Sequence, residues 1–113
     1  MNYSNEIKLI LAICAQDEVI SSVELNSTFD LSNDFCKITK KDFDLIVDAF
    51  FIDELTIEEY FFYCDSDISK KRLIEMCKTA ATSDGFSIRE NYGFLKLCKL
   101  ADLDPENFIS DEI

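Results

Sequence analysis

Four carboxylates stand at corresponding places in two short segments of the chain, and together they could bind a divalent cation. They are Asp17, Glu24, Asp84 and Glu90. Carboxylate oxygens are the ligands that calcium and magnesium prefer in proteins, so these side chains form a candidate metal site if the two segments pack side by side. That site would not be an EF-hand, because Ala80 and Thr82 stand where such a loop needs charged oxygen ligands.

A second interpretation gives the same acids only a structural role. Ser21 with Glu24 and Ser87 with Glu90 have the spacing of capping boxes, in which each side chain satisfies a backbone amide at a helix start. Gly85 can take the left-handed conformation that a tight turn before Ser87 requires. Because a turn and helix caps account for these residues, this interpretation is the simpler one.

No group of residues in the chain predicts catalysis. The sequence has no histidine, so the usual general base and the usual partner of a nucleophilic serine or cysteine are both missing. It has no glycine-rich phosphate loop, and nothing singles out two carboxylates for acid–base work. The five cysteines form no C-x-x-C pair and are expected to be reduced, mostly buried thiols. We therefore expect a protein that is not an enzyme.

The stretch Asp42–Asp67 combines negative charge with aromatic side chains. It holds nine acidic residues and no lysine or arginine, and Tyr60–Tyr63 is a run of four aromatic residues. Four successive side chains cannot all face the core of a helix that turns about 100° per residue. The buried stripe predicted from the spacing is Ile57, Phe61, Cys64 and Ile68. Phe62 and Tyr63 are then predicted to lie on the opposite, exposed side.

Exposed aromatic side chains ringed by carboxylates are typical of a protein interface, because the rings supply buried area and the rim charges steer a partner. The predicted partner-binding residues are Asp53, Glu54, Glu58, Glu59, Phe62, Tyr63 and Asp65. The net charge of −12 favours a basic protein partner and argues against direct contact with nucleic acid. A homodimer or a neighbouring helix that covers the rings is the alternative for Phe62 and Tyr63.

The elements that carry these residues are all predicted to be helices. Helix starts are indicated at Ser4, Ser21, Thr39, Thr56, Ser87 and Asp104, the last of these followed by Pro105 and a short helix with Phe108 and Ile109. No alternating apolar pattern bounded by turn dipeptides predicts a strand. The sequence therefore predicts an all-α fold, one compact domain over 1–113 built as a bundle of about six or seven helices.

The periodicities also predict how these helices pack. The first helix, from Ser4 to about Gln16, is apolar on much of its girth and should be central. Asp30–Lys37 is predicted to be an irregular polar connection. The helix Thr39–Asp53 should lie between two layers, because Leu45, Ala49 and Ile52 give it a second apolar face.

The helical hairpin over Asp67–Leu103 is the element around which the rest is expected to pack. Its first arm should bury Leu73, Ile74, Cys77, Ala80 and Ala81. Its second arm should turn Ile88, Tyr92 and Leu95 inward together with Phe94, Cys98 and Ala101. The side chains predicted to be buried across the whole bundle include Leu73, Cys77, Phe61, Phe50, Ile10 and Leu95.

The run Ala80–Glu90, followed by Leu95, Leu97, Ala101, Leu103, Asp104 and Pro105, resembles the tellurite-resistance-B-like (TerB-like) domain. In that all-helical family a helix leads into A-x-x-D-G-x-I-S-x-x-E, and the resemblance covers roughly the C-terminal third of this chain. The interval from Asp84 to Glu90 is one residue shorter than the family spacing, whereas Ala15–Glu24 has the full spacing with Glu18 in place of the glycine. The resemblance implies a divalent-cation-binding or stress-response module of the tellurite-resistance type as an alternative function.

The function predicted first is a cytoplasmic, non-enzymatic acidic protein that binds a basic protein. A small inhibitor or immunity protein that neutralises a basic nuclease toxin has this charge and size, and a substrate adaptor that merely dimerises is a third class. No membrane span is predicted, because the longest apolar segment, Ile7–Ala15, is too short to cross a bilayer, and it lacks the features of a signal peptide. No cofactor is expected other than the divalent cation.

Overall fold

Six α-helices and two short 3₁₀ segments make up the fold in a computed structural model that describes residues 3–108. The helices are α1 Ser4–Cys14, α2 Ser22–Cys36, α3 Lys40–Asp53, α4 Ile57–Tyr63, α5 Lys70–Thr82 and α6 Ile88–Leu100, and the 3₁₀ segments are Ala15–Asp17 and Pro105–Phe108. No strand occurs in these residues, so the predicted all-α bundle is confirmed. The final helix is a 3₁₀ segment, and Ile109 lies outside the described residues.

Helix α1 occupies the centre of the bundle, as its apolar girth predicts. Each of the other five helices contacts it, and Leu9, Ile10 and Ile13 are completely buried. Full burial of one such side chain contributes about 2 kcal/mol, so α1 supplies a large part of the core's stability. The helix begins at Ser4. Ser4 was predicted to be its N-cap, but Tyr3 holds that position, and its side chain makes no capping hydrogen bond. No helix in residues 3–108 combines the length and apolarity needed to cross a bilayer.

Helix α2 continues through the segment that was predicted to be an irregular connection, Asp30–Lys37, and ends at Cys36. Its polar side chains bond to the helix's own carbonyls: the Thr28 hydroxyl donates to the Glu24 carbonyl at 2.8 Å, and the Ser32 hydroxyl donates to the Thr28 carbonyl at 2.7 Å. These bonds allow Thr28 and Ser32 to be buried. Such a run of polar residues favours a loop when only the sequence is considered. In the structure Thr28 and Ser32 instead face the core from within α2.

Helix α3 packs on α1 with Phe43 and Val47 buried, and its outer face is uncovered. Leu45 and Ile52 are exposed and Ala49 is partly exposed. The prediction that α3 lies between two layers was therefore wrong, because no second element packs against that face within the described chain.

Helix α6 buries one of its two apolar stripes. Phe94, Leu97 and Cys98 face the core, whereas the stripe of Ile88, Tyr92 and Leu95, which was predicted to face inward, is exposed. The glycine at position 93 determines which stripe packs against the core. A Cβ there would lie only 2.8 Å from Gln16 Cγ and 3.3 Å from Ile57 Cδ1. The helix can approach its neighbours this closely only on the face that has no side chain.

Of the six side chains expected in the core, three are completely or almost completely buried, namely Leu73, Cys77 and Ile10. Phe50 and Phe61 are half-buried and pack against the core cluster, and Leu95 is exposed. The first arm of the hairpin, α5, buries all five of its predicted residues. The prediction was thus right for α1 and α5 and wrong where a helix carries two apolar faces.

Candidate functional sites

Helix α4 presents the aromatic pair that was predicted to be exposed. Thr56 caps the helix, and the Glu59 carboxylate accepts from the Thr56 amide at 3.1 Å in a capping box. Phe62 is 81% exposed and Tyr63 is 50% exposed, and their rings contact only edge to face, with centroids 5.6 Å apart. Two large rings therefore stand in solvent beside the acidic first turn of the helix.

The predicted buried stripe of α4 was partly right: Ile57 is buried, and Phe61, Cys64 and Ile68 are partly buried against the core. The helix itself ends at Tyr63, so Cys64, in an extended conformation, and Ile68 lie beyond it. The fully buried ring is Tyr60, whose hydroxyl donates to Asp53 Oδ2 at 3.3 Å. Tyr60 was missed because the helix is too short for its period to be read from sequence.

A cavity of about 650 Å³ opens beside the exposed rings. Its wall contains aromatic and aliphatic side chains together with carboxylates: Glu6, Glu58, Glu59, Phe61, Phe62, Tyr63, Cys64, Ser66, Ile68, Lys70, Leu73 and Leu100. Four of the seven predicted partner-binding residues, namely Glu58, Glu59, Phe62 and Tyr63, thus line one concave surface. We call it the α4 cavity.

The other three predicted residues do not line this cavity. Asp53 forms an ion pair with Lys8 at 2.7 Å, and this bond holds the pKa of Asp53 below its usual value. Glu54 ends α3 in a left-handed conformation, with φ of 54°, and is exposed. Asp65 is exposed beyond the end of α4. Asp53 therefore serves the packing of α1 against α3, and Asp65 stands between Cys64 and Ser66, which both line the cavity.

Glu6 is a residue of the α4 cavity that was not predicted. It is 1% exposed, and its Oε2 accepts from the Ser66 amide at 3.1 Å, while its Oε1 has no hydrogen-bond partner in the part of the chain that the structure describes. Its burial could have been predicted from its spacing in the sequence. Glu6 stands four residues before Ile10 and seven before Ile13, on the apolar side of the central helix. A carboxylate in such a stripe is rarely buried without a partner.

The two acidic segments share two local features, a left-handed residue and a capping serine. Glu18 and Gly85, each directly after an aspartate, take left-handed conformations with φ of 73° and 84°. Ser21 and Ser87 then cap α2 and α6, and each accepts from the amide three residues on at 3.1 Å. Both predicted capping boxes are present. The structural interpretation of these acids is therefore correct as far as the capping glutamates are concerned.

The two capping boxes face each other across a cavity of about 370 Å³, which Asp17, Glu24, Asp84 and Glu90 all line. Glu24 is 4% exposed and Glu90 is 1% exposed. Burial, and then the adjacent Glu90 carboxyl group, raises the pKa of Glu24 to about 7. Glu90 Oε2 has no hydrogen-bond partner within residues 3–108. The proton of a neutral Glu24 carboxyl group could be donated to this oxygen.

The donor set is incomplete for a metal ion. Within the described chain no three histidine, cysteine, aspartate or glutamate residues are arranged to hold one. One oxygen each of Glu24 and Glu90 accepts from a capping serine amide at 2.9 Å, and Asp17 Oδ1 accepts from the Val19 amide at 3.3 Å. Calcium takes six to eight oxygen ligands, so a cation would need Asp84 and Asp17 to turn toward the buried pair.

The cysteines offer no alternative chemistry. All five are free thiols, with Cys14, Cys77 and Cys98 buried and the other two half-buried. Burial is the largest cause of a raised pKa for each of them, including Cys36 and Cys64. The reactive thiolate form is therefore disfavoured at every position.

Backbone strain at the two left-handed positions gives a paired prediction. No atom lies within 4 Å of a Cβ built at Gly85, so Gly85→Ala changes only the cost of a positive φ and should lower the unfolding free energy by about 1 kcal/mol. Glu18→Gly should raise it by a similar amount, about 1 kcal/mol, because a side chain is strained there already. Urea denaturation measures both unfolding free energies. A change of the same sign in the two variants would contradict the left-handed conformation that Glu18 and Gly85 share.

Comparisons with models of known protein families, with curated proteins and with solved structures find no match to this chain. Function is therefore inferred from the geometry and charge of two sites. One is the α4 cavity, and the other is the pair of acidic turns that carry Asp17, Glu24, Asp84 and Glu90.

Proposed function

We propose that this protein is a non-enzymatic acidic binding protein whose α4 surface engages a basic protein partner. The observation that carries the proposal is the placement of the exposed Phe62–Tyr63 pair beside Glu58 and Glu59 on the wall of one cavity. Aromatic side chains that a partner can enclose are the commonest anchors of protein interfaces. An inhibitor or immunity protein directed against a basic toxin is one function of this kind.

Charge selects the class of partner. The whole chain carries −12, and α4 has no basic residue, so its field repels nucleic acid and attracts a basic surface. An ion pair at this surface, Lys96 Nζ to Glu58 at 3.7 Å, joins side chains that are both about half-exposed. Such a pair is worth at most about 1 kcal/mol, so Glu58 can exchange it for a contact with a partner.

Comparative affinity capture tests this proposal. Wild-type protein and a variant with Glu58→Lys and Asp65→Lys are immobilised at equal density and exposed to extract of the native cell. We expect a protein of high isoelectric point on the wild type and its loss from the variant. Recovery of the same proteins on both would contradict the proposal, and capture of this chain itself would instead indicate the homodimer.

A second candidate function, divalent-cation binding in a TerB-like module, is favoured by one observation. Glu90 Oε2 is buried, lacks a partner within the described residues and borders the cavity that Glu24, Asp17 and Asp84 share. A cation could take the place of the Glu24 proton there. Glu24 and Glu90 would hold it from α2 and α6, and the more exposed aspartates would complete its ligands.

Calcium or magnesium should then raise the melting temperature at about pH 8, where Glu24 has lost its proton, because a ligand of the folded state stabilises by mass action. The control is sodium chloride at matched ionic strength, since screening also stabilises a chain of charge −12. Asp84→Asn should abolish the ion-specific increment. If the divalent salt raises the melting temperature no more than sodium chloride does, the four acids serve only as turn and cap residues.

A further inference from the structure

The α4 cavity lacks one hydrogen-bond donor at a buried position. Glu6 Oε1 is enclosed and has no partner among the described residues, although the Ser66 amide satisfies Oε2. Lys70 also lines the cavity, but its ammonium lies over the Phe61 ring, 5.7 Å from the centroid, and does not pair with Glu6. A buried carboxylate oxygen is normally matched by a donor, preferably a charged one.

The rest of the cavity suits a long basic side chain. Glu58 and Glu59 are exposed and Glu6 is buried, so negative charge occurs at both the surface and the interior of the same cavity. Ile68 and Leu73 in its wall are apolar. Lysine is an aliphatic stem with a charged tip, and such stems pack along apolar walls while the tip seeks an anion.

The geometry points to a lysine side chain of the basic partner as the ligand of the α4 cavity, with its ammonium donating to Glu6 Oε1. This inference rests on the proposed function and names the group that the partner inserts. Lysine fits better than arginine because a guanidinium pairs best with both oxygens of a carboxylate, and Glu6 Oε2 is already held by the Ser66 amide. Since Oε1 is enclosed, insertion requires a lining side chain to move.

Two probes test the inference with the full chain. n-Butylammonium chloride, compared with 1-butanol, is titrated into isotopically labelled protein, and the ammonium should selectively shift the Ser66 amide resonance. A hexalysine peptide, compared with hexaarginine, is titrated by calorimetry. Glu6→Gln should weaken hexalysine by about 30-fold, as expected for the loss of a buried charge pair. Asp30→Asn, which removes an exposed charge elsewhere, should leave the affinity within about twofold.

A second variant protects the test against a folding defect in Glu6→Gln. Leu100 is 41% exposed and lines the cavity, so Leu100→Trp should fill it, leave Glu6 intact and abolish the butylammonium shift. Hexalysine binding that survives Glu6→Gln and Leu100→Trp but is lost with Glu58→Lys and Asp65→Lys would overturn the inference and leave the proposed function standing. If the wild type binds neither probe, the inference is overturned, and comparative capture decides separately on the proposed function.

Discussion

At about pH 8 the Glu24→Gln variant should be more stable than the wild type by about 3 kcal/mol, whereas at about pH 4 the two should be nearly equal. The pKa of Glu24 is raised from 4.5 to about 7, by burial first and by Glu90 second. The folded protein therefore binds this proton more tightly than the unfolded chain does. The stability that it contributes is complete below pH 4.5 and is lost as the pH rises through about 7.

Glutamine mimics the protonated carboxyl group at every pH. Its amide oxygen can still accept from the Ser21 amide, and its N–H group can donate to Glu90 Oε2 where the acid's O–H would. The variant should therefore keep the capping box and lose the pH dependence between about pH 4 and 8. Urea denaturation at the two pH values measures the difference.

The matched control is Glu59→Gln, which removes a charge from the capping box of α4, where the carboxylate is exposed. It measures, at each pH value, the general relief of repulsion in a chain of charge −12, and this change is subtracted from that of Glu24→Gln. If Glu24→Gln changes the unfolding free energy by no more than Glu59→Gln does, or lowers it at pH 8, the raised pKa of Glu24 is contradicted.

Replacement of Phe62 by alanine should raise the rate at which the basic partner dissociates by about 30-fold, equivalent to about 2 kcal/mol, without changing the melting temperature. The ring is 81% exposed, so the folded protein loses almost no packing with it. Association should be little affected, because mutations at the centre of an interface act mainly on dissociation.

Charge reversal should have the opposite kinetic signature. Glu58→Lys with Asp65→Lys should lower the association rate and weaken its salt dependence, because rim charges act through long-range steering. Glu59 is unsuitable for this test, because a lysine there would break the capping box of α4, which glutamine can keep. A variant at Glu59 would thus mix a folding effect with a binding effect.

The starts of α2, α3, α4 and α6 could be predicted because capping is a local property. Ser21, Thr39, Thr56 and Ser87 all accept from the amide three residues on, as their spacing indicates. The two acidic turns could also be predicted from the sequence, because each segment has an aspartate followed by a Ser-x-x-Glu capping box. Their meeting as a buried Glu24–Glu90 pair was a conditional prediction that depended on how α2 and α6 pack.

The choice of buried face was less predictable. Helix α6 has two apolar stripes of equal quality by spacing, and the missing side chain at Gly93 decides which one packs. The α4 cavity joins Glu6 of α1 to Ser66, which is 60 residues away in sequence. No local pattern links two such positions, so the orphan carboxylate oxygen could be found only in the folded structure.

Binding kinetics of the captured basic protein on wild type, Phe62→Ala and Phe51→Ala test the central claim most directly. Phe51 is also an exposed phenylalanine, but it lies on α3 and does not line the α4 cavity. Surface plasmon resonance should show fast dissociation from Phe62→Ala only, with Phe51→Ala indistinguishable from wild type and all three melting together. Equal dissociation rates for the three proteins, or a lowered melting temperature for Phe62→Ala, would contradict the assignment of α4 as the partner-binding surface.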